Sequence, residues 1–271
     1  MAAVQEETAA PEQAGLLRLF TDPLLKALER IGSTLDLTGR SVTWLFRPPY
    51  RFTLFVQAMD FVGVQSIFIV GLTGIFSGMV LALQTTHSLR QFGAEGIVGS
   101  LVAISLTREI APVFAALMVT ARAGSAMAAE LGNMRVTEQI DALVTMGVSP
   151  QQYLITPRLL ASTLMLPLLC VLYTCVGMVG AYVVAVQWLG VDPGVFMSNI
   201  EKYLVPKDFF MGEIKAFVFG FLISAISCAQ GFNASGGAKG VGEATTRAVV
   251  ESAVAILIAN YLLTSWLTDM G

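Results

Sequence analysis

Four stretches of this chain contain no Asp, Glu, Lys or Arg: Asp60 to Arg90, Arg158 to Asp192, Lys215 to Lys239 and Glu251 to Asp269. A fifth, from about 97 to 121, is apolar except for Arg108 and Glu109. A helix crossing the roughly 30 Å hydrocarbon core of a bilayer needs about 20 apolar residues. The expected spans are therefore about 61–83, 97–121, 159–189, 214–236 and 249–268. The third run would make a straight helix of about 50 Å. Pro167 is expected to kink it and tilt to absorb the rest, with a sixth span the alternative if the run folds back on itself. With 55% hydrophobic and 13% charged residues, and a mean hydropathy of +0.71, the composition lies far from that of a soluble domain. The expected fold class is all-α and polytopic.

Placing the N-terminus in the cytoplasm puts eleven Lys and Arg on that side and four outside (Arg90, Lys202, Lys207 and Lys215), with Arg108 in the membrane. This bias supports a cytoplasmic N-terminus, and an odd number of spans then sends Gly271 to the opposite side. Residues 1–15 read as a flexible acidic tail, with no evident signal or transit peptide. Over 16–47, Leu24, Leu25, Leu28, Ile31 and Leu35 recur at helical spacing, opposite Lys26, Glu29 and Arg30. Such a helix suits the membrane interface, or else packs on the cytoplasmic loops as a soluble helix. Residues 48–271 form the membrane-spanning remainder.

Cys170, Cys175 and Cys228 lie in apolar runs without clustered His, and read as buried small hydrophobes. Gly63, Gly71, Gly74 and Gly78 let helix backbones approach closely, within the chain or between two copies. Asn233-Ala234-Ser235 is a sequon on the expected cytoplasmic side and carries no weight.

Arg108 and Glu109 are the unusual pair. An ionisable group in mid-span costs about 2.5–3.5 kcal/mol on insertion scales, so it faces a cavity or a partner. Neighbours on a helix point about 100° apart, so the two cannot simply pair with each other. Pro112 loosens the backbone just beyond. No other acid or His is read deep in a span, which argues against a proton-driven carrier.

After the second span comes a polar, patterned segment in which Glu130, Glu138 and Asp141 alternate with Met134, Ile140, Leu143 and Met146. It ends at Gly147-Val148-Ser149-Pro150, so an amphipathic cytoplasmic helix over about 126–147 is expected.

The run L-T-R-E-I-A-P-V-F-A-A-L from Leu106 to Leu117 is followed by A-R-A-G-S-A from Ala121 to Ala126. Ala129-Glu130 and R-V-T-E-Q-I-D-A-L from Arg135 to Leu143 complete the pattern. It resembles the signature of the MlaE/YrbE family, permease subunits of lipid-trafficking ABC transporters that work with MCE-domain proteins. Matches from Gly74 to Gln84 and from Glu243 to Val250 extend the resemblance to nearly the whole chain from about residue 16.

The resemblance implies an exporter-like ABC permease fold and a homodimer in a bacterial inner membrane, with a periplasmic C-terminus. The implied partners are a cytoplasmic ATPase dimer, a periplasmic MCE hexamer and phospholipid, and the implied role is to maintain outer-membrane lipid asymmetry. It further implies headgroup contacts by Arg108 and Glu109, an acyl-chain wall at Leu81, Leu89 and Phe92, and ATPase coupling through Glu130, Arg135, Glu138 and Asp141. ATP and Mg would belong to the partner subunits. This chain has no Walker-type phosphate loop, and Gly236-Gly237-Ala238-Lys239-Gly240 lacks the spacing. No catalytic, metal or cofactor site of its own is expected. An ATP-independent carrier or scaffold for amphipathic solutes is the alternative function, and a plastid envelope the alternative location.

Overall fold

The computed structural model of the chain describes residues 32–44 and 52–269. The apolar stretch Leu24–Ile31 of the expected interfacial helix lies outside them. Among the described residues every regular element is helical. Five helices are long and apolar enough to cross a membrane: Phe52–Arg90, Glu95–Val136, Gln151–Trp188, Pro206–Phe232 and Gly237–Thr268. The chain is thus an all-α polytopic membrane protein, and the third run is one helix with Pro167 inside it.

Helix α1 covers 32–44 and rests on the bundle through Leu37, Thr38 and Ser41, whose carbonyl accepts from the Thr156 hydroxyl at 3.1 Å. Leu35, read as part of its apolar face, is 67% exposed. The first span is two helices, α2 (Phe52–Val62) and α3 (Ile67–Arg90), joined by a tight turn at Val64–Ser66.

The second span is built of α4 (Val98–Ser105), α5 (Ala111–Val119) and α6 (Ser125–Val136). Wide π turns at Leu106–Ile110 and Thr120–Gly124 separate these segments. A short helix, α7 (Gln139–Thr145), follows. The third span centres on α8 (Thr156–Tyr182). Then come α9 (Pro193–Tyr203), α10 (Pro206–Phe232) and α11 (Gly237–Asp269).

Helix ends depart from the expected bounds in an informative way. The second span runs on through α6, and the segment 126–147 is not one helix. Glu138, at φ 60°, takes the left-handed conformation and breaks α6 from α7. For a residue with a side chain this costs about 1–2 kcal/mol. Buried Ile140 anchors α7, and Arg135 Nη1 meets Asp141 Oδ1 at 2.6 Å across the elbow. Helix α10 begins eight residues before the expected start of the fourth span, and α11 begins at Gly237, ahead of the expected 249. Reading spans from charge-free runs truncates any helix whose charges are paired inside the bundle.

Small residues set the packing. Gly74 and Gly78 of α3 lie against the backbone of Tyr173 and Gly177 in α8, while Gly180 faces the Ile75 carbonyl. This is an intrachain crossing, held further by the Ser77 and Tyr173 hydroxyls at 2.6 Å. The main core gathers Val70, Val119, Met127, Leu166, Tyr173, Phe219 and Ile223. A second core, near α9, joins Ala82, Val102, Val184 and Phe196, where Tyr182 meets Phe196 edge-on at 5.7 Å. Cys170 and Cys228 are buried as expected, but Cys175 faces outward.

Candidate functional site

Pro112 has no N–H, so it cannot bond the Arg108 carbonyl four residues back. Lys215 Nζ of α10 takes that carbonyl instead, at 3.1 Å. The same ammonium meets Glu109 Oε1 at 2.6 Å and Thr264 Oγ1 of α11 at 2.7 Å. A lysine has three donors, and each finds an acceptor here. Lys215, expected outside the membrane, is only 1% exposed. Gly212 makes the approach possible, because a Cβ there would collide with the Thr107 carbonyl.

Glu109 is completed by Asn260 Nδ2, at 3.2 Å from Oε2. Arg108 turns to a different partner, with Nε 2.7 Å from Asp208 Oδ1. The N–H is poorly aligned, so the contact is a charge pair more than a hydrogen bond. The other Asp208 oxygen caps the start of α10 by accepting the Val205 N–H at 3.1 Å. Two ion pairs thus tie one wide turn of the second span to α10. Within each, one member is buried and the other faces open space: Arg108 and Glu109 are each 41% exposed, Asp208 and Lys215 about 3% and 2%.

That open space is a cavity of about 210 Å³. Its polar wall holds Arg108, Glu109, Lys215 and Thr264, and its apolar wall holds Ile104, Met211 and Leu267. An opposed pair of charges beside apolar surface suits an amphipathic ligand with a charged group.

Asp208, Lys215, Asn260 and Thr264 were not singled out in the sequence; Asp208 and Glu213 fall in the first turns of α10, which starts ahead of the expected span. A usable signal exists: Asp208, Gly212 and Lys215 fall at i, i+4 and i+7, on one helix face. Asn260 and Thr264 are likewise one turn apart.

Leu81 and Leu89 pack against the second core instead of lining the cavity, and Phe92 beyond α3 is 80% exposed. At the α7 end, Glu130 is engaged with Arg158 of α8 at 2.8 Å. Arg135, Glu138 and Asp141 surround the elbow, and Val144 and Met146 are 57% and 68% exposed beside them.

The chain matches the family described as "Permease MlaE" over residues 55–266. It is similar to a probable ABC transporter permease protein of Rickettsia bellii, 42% identical over 89% of this chain and 93% of the relative. It is also similar to the intermembrane phospholipid transport system permease protein MlaE of Haemophilus influenzae, 39% identical over 86% and 92%. The chloroplastic protein TRIGALACTOSYLDIACYLGLYCEROL 1 of Arabidopsis thaliana is 36% identical over 98% of this chain and 77% of its own length. Five membrane-length helices, the polar elbow and a match spanning most of the sequence place the chain in the MlaE family of ABC transporter permeases.

Proposed function

We propose that this permease moves phospholipids between a bacterial inner membrane and a periplasmic MCE-protein hexamer, maintaining outer-membrane lipid asymmetry. In this reading it works as a homodimer, with its N-terminus in the cytoplasm, its C-terminus in the periplasm and ATP hydrolysed by a cytoplasmic ATPase dimer. One observation carries the reading: charges that belong in water are built into the apolar second span, opening on a cavity with one apolar wall. The name of the Haemophilus relative supports phospholipid as the substrate.

Arg108 would draw the phosphate and Glu109 the cationic part of a headgroup. At about 210 Å³ the cavity is below the 300–1,000 Å³ typical of pockets that enclose drug-sized ligands. Acyl chains must therefore lie outside it, along apolar surface that includes Leu81, Leu89 and Phe92 and is completed by the second copy. The ATPase would press on α7, and the continuous helix from α6 to α5 would carry that movement to the charged turn. Relocating acyl chains out of an apolar setting costs about 0.8 kcal/mol per CH₂, a reason for ATP.

Affinity purification of the tagged chain in mild detergent, with mass spectrometry of proteins and lipids, tests the whole. Recovery of an ATPase, an MCE protein and phospholipid is expected; the chain alone would refute it. Reversing Glu138 and Asp141 to Lys should abolish ATPase recovery while the fold survives. Among the described residues the ion pair broken is Arg135–Asp141, which is surface-exposed and worth about 1 kcal/mol or less. Full recovery of the ATPase would move coupling elsewhere. Replacing Arg108 and Glu109 together with Ala should lower co-purified phospholipid at least about tenfold, because both charge-assisted bonds to the headgroup would be missing. Unchanged lipid occupancy would leave these residues as anchors between helices.

A further inference from the structure

Arg40, Arg90, Arg108, Arg135, Arg158 and Arg247 are each in ion-pair contact with a carboxylate. Arg122, in the second wide turn, is the described arginine that is not. Its guanidinium donates through Nη1 to the Phe61 carbonyl and to Ser66 Oγ, and through Nη2 to Gln65 Oε1. It also lies over the Phe61 ring, 4.9 Å from the centroid. These acceptors are all neutral. Asp60, the nearest carboxylate, is held by Gln65 Nε2 at 3.2 Å and does not touch the guanidinium. A guanidinium has five N–H donors. Three are used, leaving Nε–H and one on Nη2 without a partner among the described residues.

Depth along the helix says what those donors meet. At about 1.5 Å per residue, Arg122 lies about 40 Å along the second span from Glu95, which pairs with Arg90 at the α9 end. A bilayer measures about 40–45 Å with both headgroup layers included. Arg122 therefore falls at the level of one phosphate layer when Arg90 and Glu95 are at the other. Beside it, Val64, Ile67 and Phe68 are 55%, 46% and 79% exposed, an apolar wall for the chains of a lipid whose phosphate is held above.

We infer that Arg122, held in place by Gln65 and Ser66, is a phosphate-binding site for a membrane phospholipid, separate from the cavity at Arg108. The site is about 20 Å along the helix from Arg108 and does not depend on what the cavity holds. The guanidinium supplies a planar pair of donors suited to two phosphate oxygens. The turn at Val64–Ser66 holds it in place from the other side.

Labelling of the full, unmutated chain with phenylglyoxal, which reacts with free guanidinium groups, tests this without a variant that must fold. Arg122 modification is followed by mass spectrometry in nanodiscs of phospholipid, in nanodiscs of uncharged galactolipid, and in the latter with millimolar inorganic phosphate. Arg135, roughly 20 Å further along and outside the bilayer, reports general reagent access.

The expected result is Arg122 modification slowed about fivefold or more by phospholipid alone, with Arg135 unchanged. Equal slowing by inorganic phosphate would overturn the lipid in favour of a soluble anion. Equal rates in both lipids would remove the site and leave Arg122 a tie between two spans.

Discussion

Replacing Lys215 with Met should destabilise the chain by about 3 kcal/mol, the low end for removing one partner of a buried ion pair. The low end applies because Glu109 is 41% exposed and can recover some solvation from the cavity. The loss is more than the pair. Pro112 leaves the Arg108 carbonyl without its helical donor, and Lys215 is what replaces that donor. Methionine keeps the length and volume but leaves this carbonyl unbonded, Glu109 uncompensated and the Thr264 hydroxyl without its donor. Removing the opposite charge as well, in Lys215→Met with Glu109→Gln, should restore at least half of the loss. Denaturant unfolding in detergent, arranged as a double-mutant cycle, measures that coupling directly. Additive effects of the two substitutions would mean that the pair does not hold the turn to α10.

Gly78→Val should be worse, costing about 3 kcal/mol or more and greatly reducing the yield of folded protein. A Cβ at this position would overlap the Gly177 carbonyl of α8. Neither backbone can yield without separating α3 from α8, and overpacking within a tolerant core already costs about 1–3 kcal/mol. In lipid no hydrophobic force pulls helices together, so close backbone packing is a large part of what holds this crossing. Gly71→Val is the control. It lies two turns earlier on α3, and a Cβ there meets nothing within 4 Å. It should change the midpoint of thermal unfolding by no more than about 1–2 °C, an effect of under about 0.5 kcal/mol. If both valines behaved alike, the glycine crossing would be irrelevant to stability.

How these features could be read from sequence differs by kind. The number and order of spans follow from charge-free runs, because lipid penalises isolated charge more heavily than any other solvent does. Their ends do not, since charges on α10 are neutralised by groups far away in sequence and Arg247 on α11 pairs with Glu243 one turn away. Asp208 and Lys215 looked like loop residues because they lie close to the outer end of a run; their partners are about a hundred residues upstream. Arg108 and Glu109 stood out for the opposite reason, as charges with apolar residues on both sides. Gly74 and Gly78 announced close packing, but not whether α8 or a second copy supplied the other face. The Thr137–Glu138 elbow escaped notice because a left-handed glutamate has no local signature. Nothing in the helical spacing of Glu130 to Met146 marks the break.

The two wide turns of the second span fix how this protein can vary over evolutionary time. Each accommodates an additional residue, and each removal would rotate everything beyond it by about 100°. Losing one residue between Leu106 and Ile110 would turn Arg122 away from Phe61 and Gln65 while Lys215 still held Glu109. Gaining one in α5 would do the same in the other sense. The length from Arg108 to Arg122 is therefore locked by partners at both ends, on α10 and at the end of α2 with the turn that follows it. Homologous chains should change length in the segments before α9 or after α7, and should keep this interval constant even where its side chains diverge.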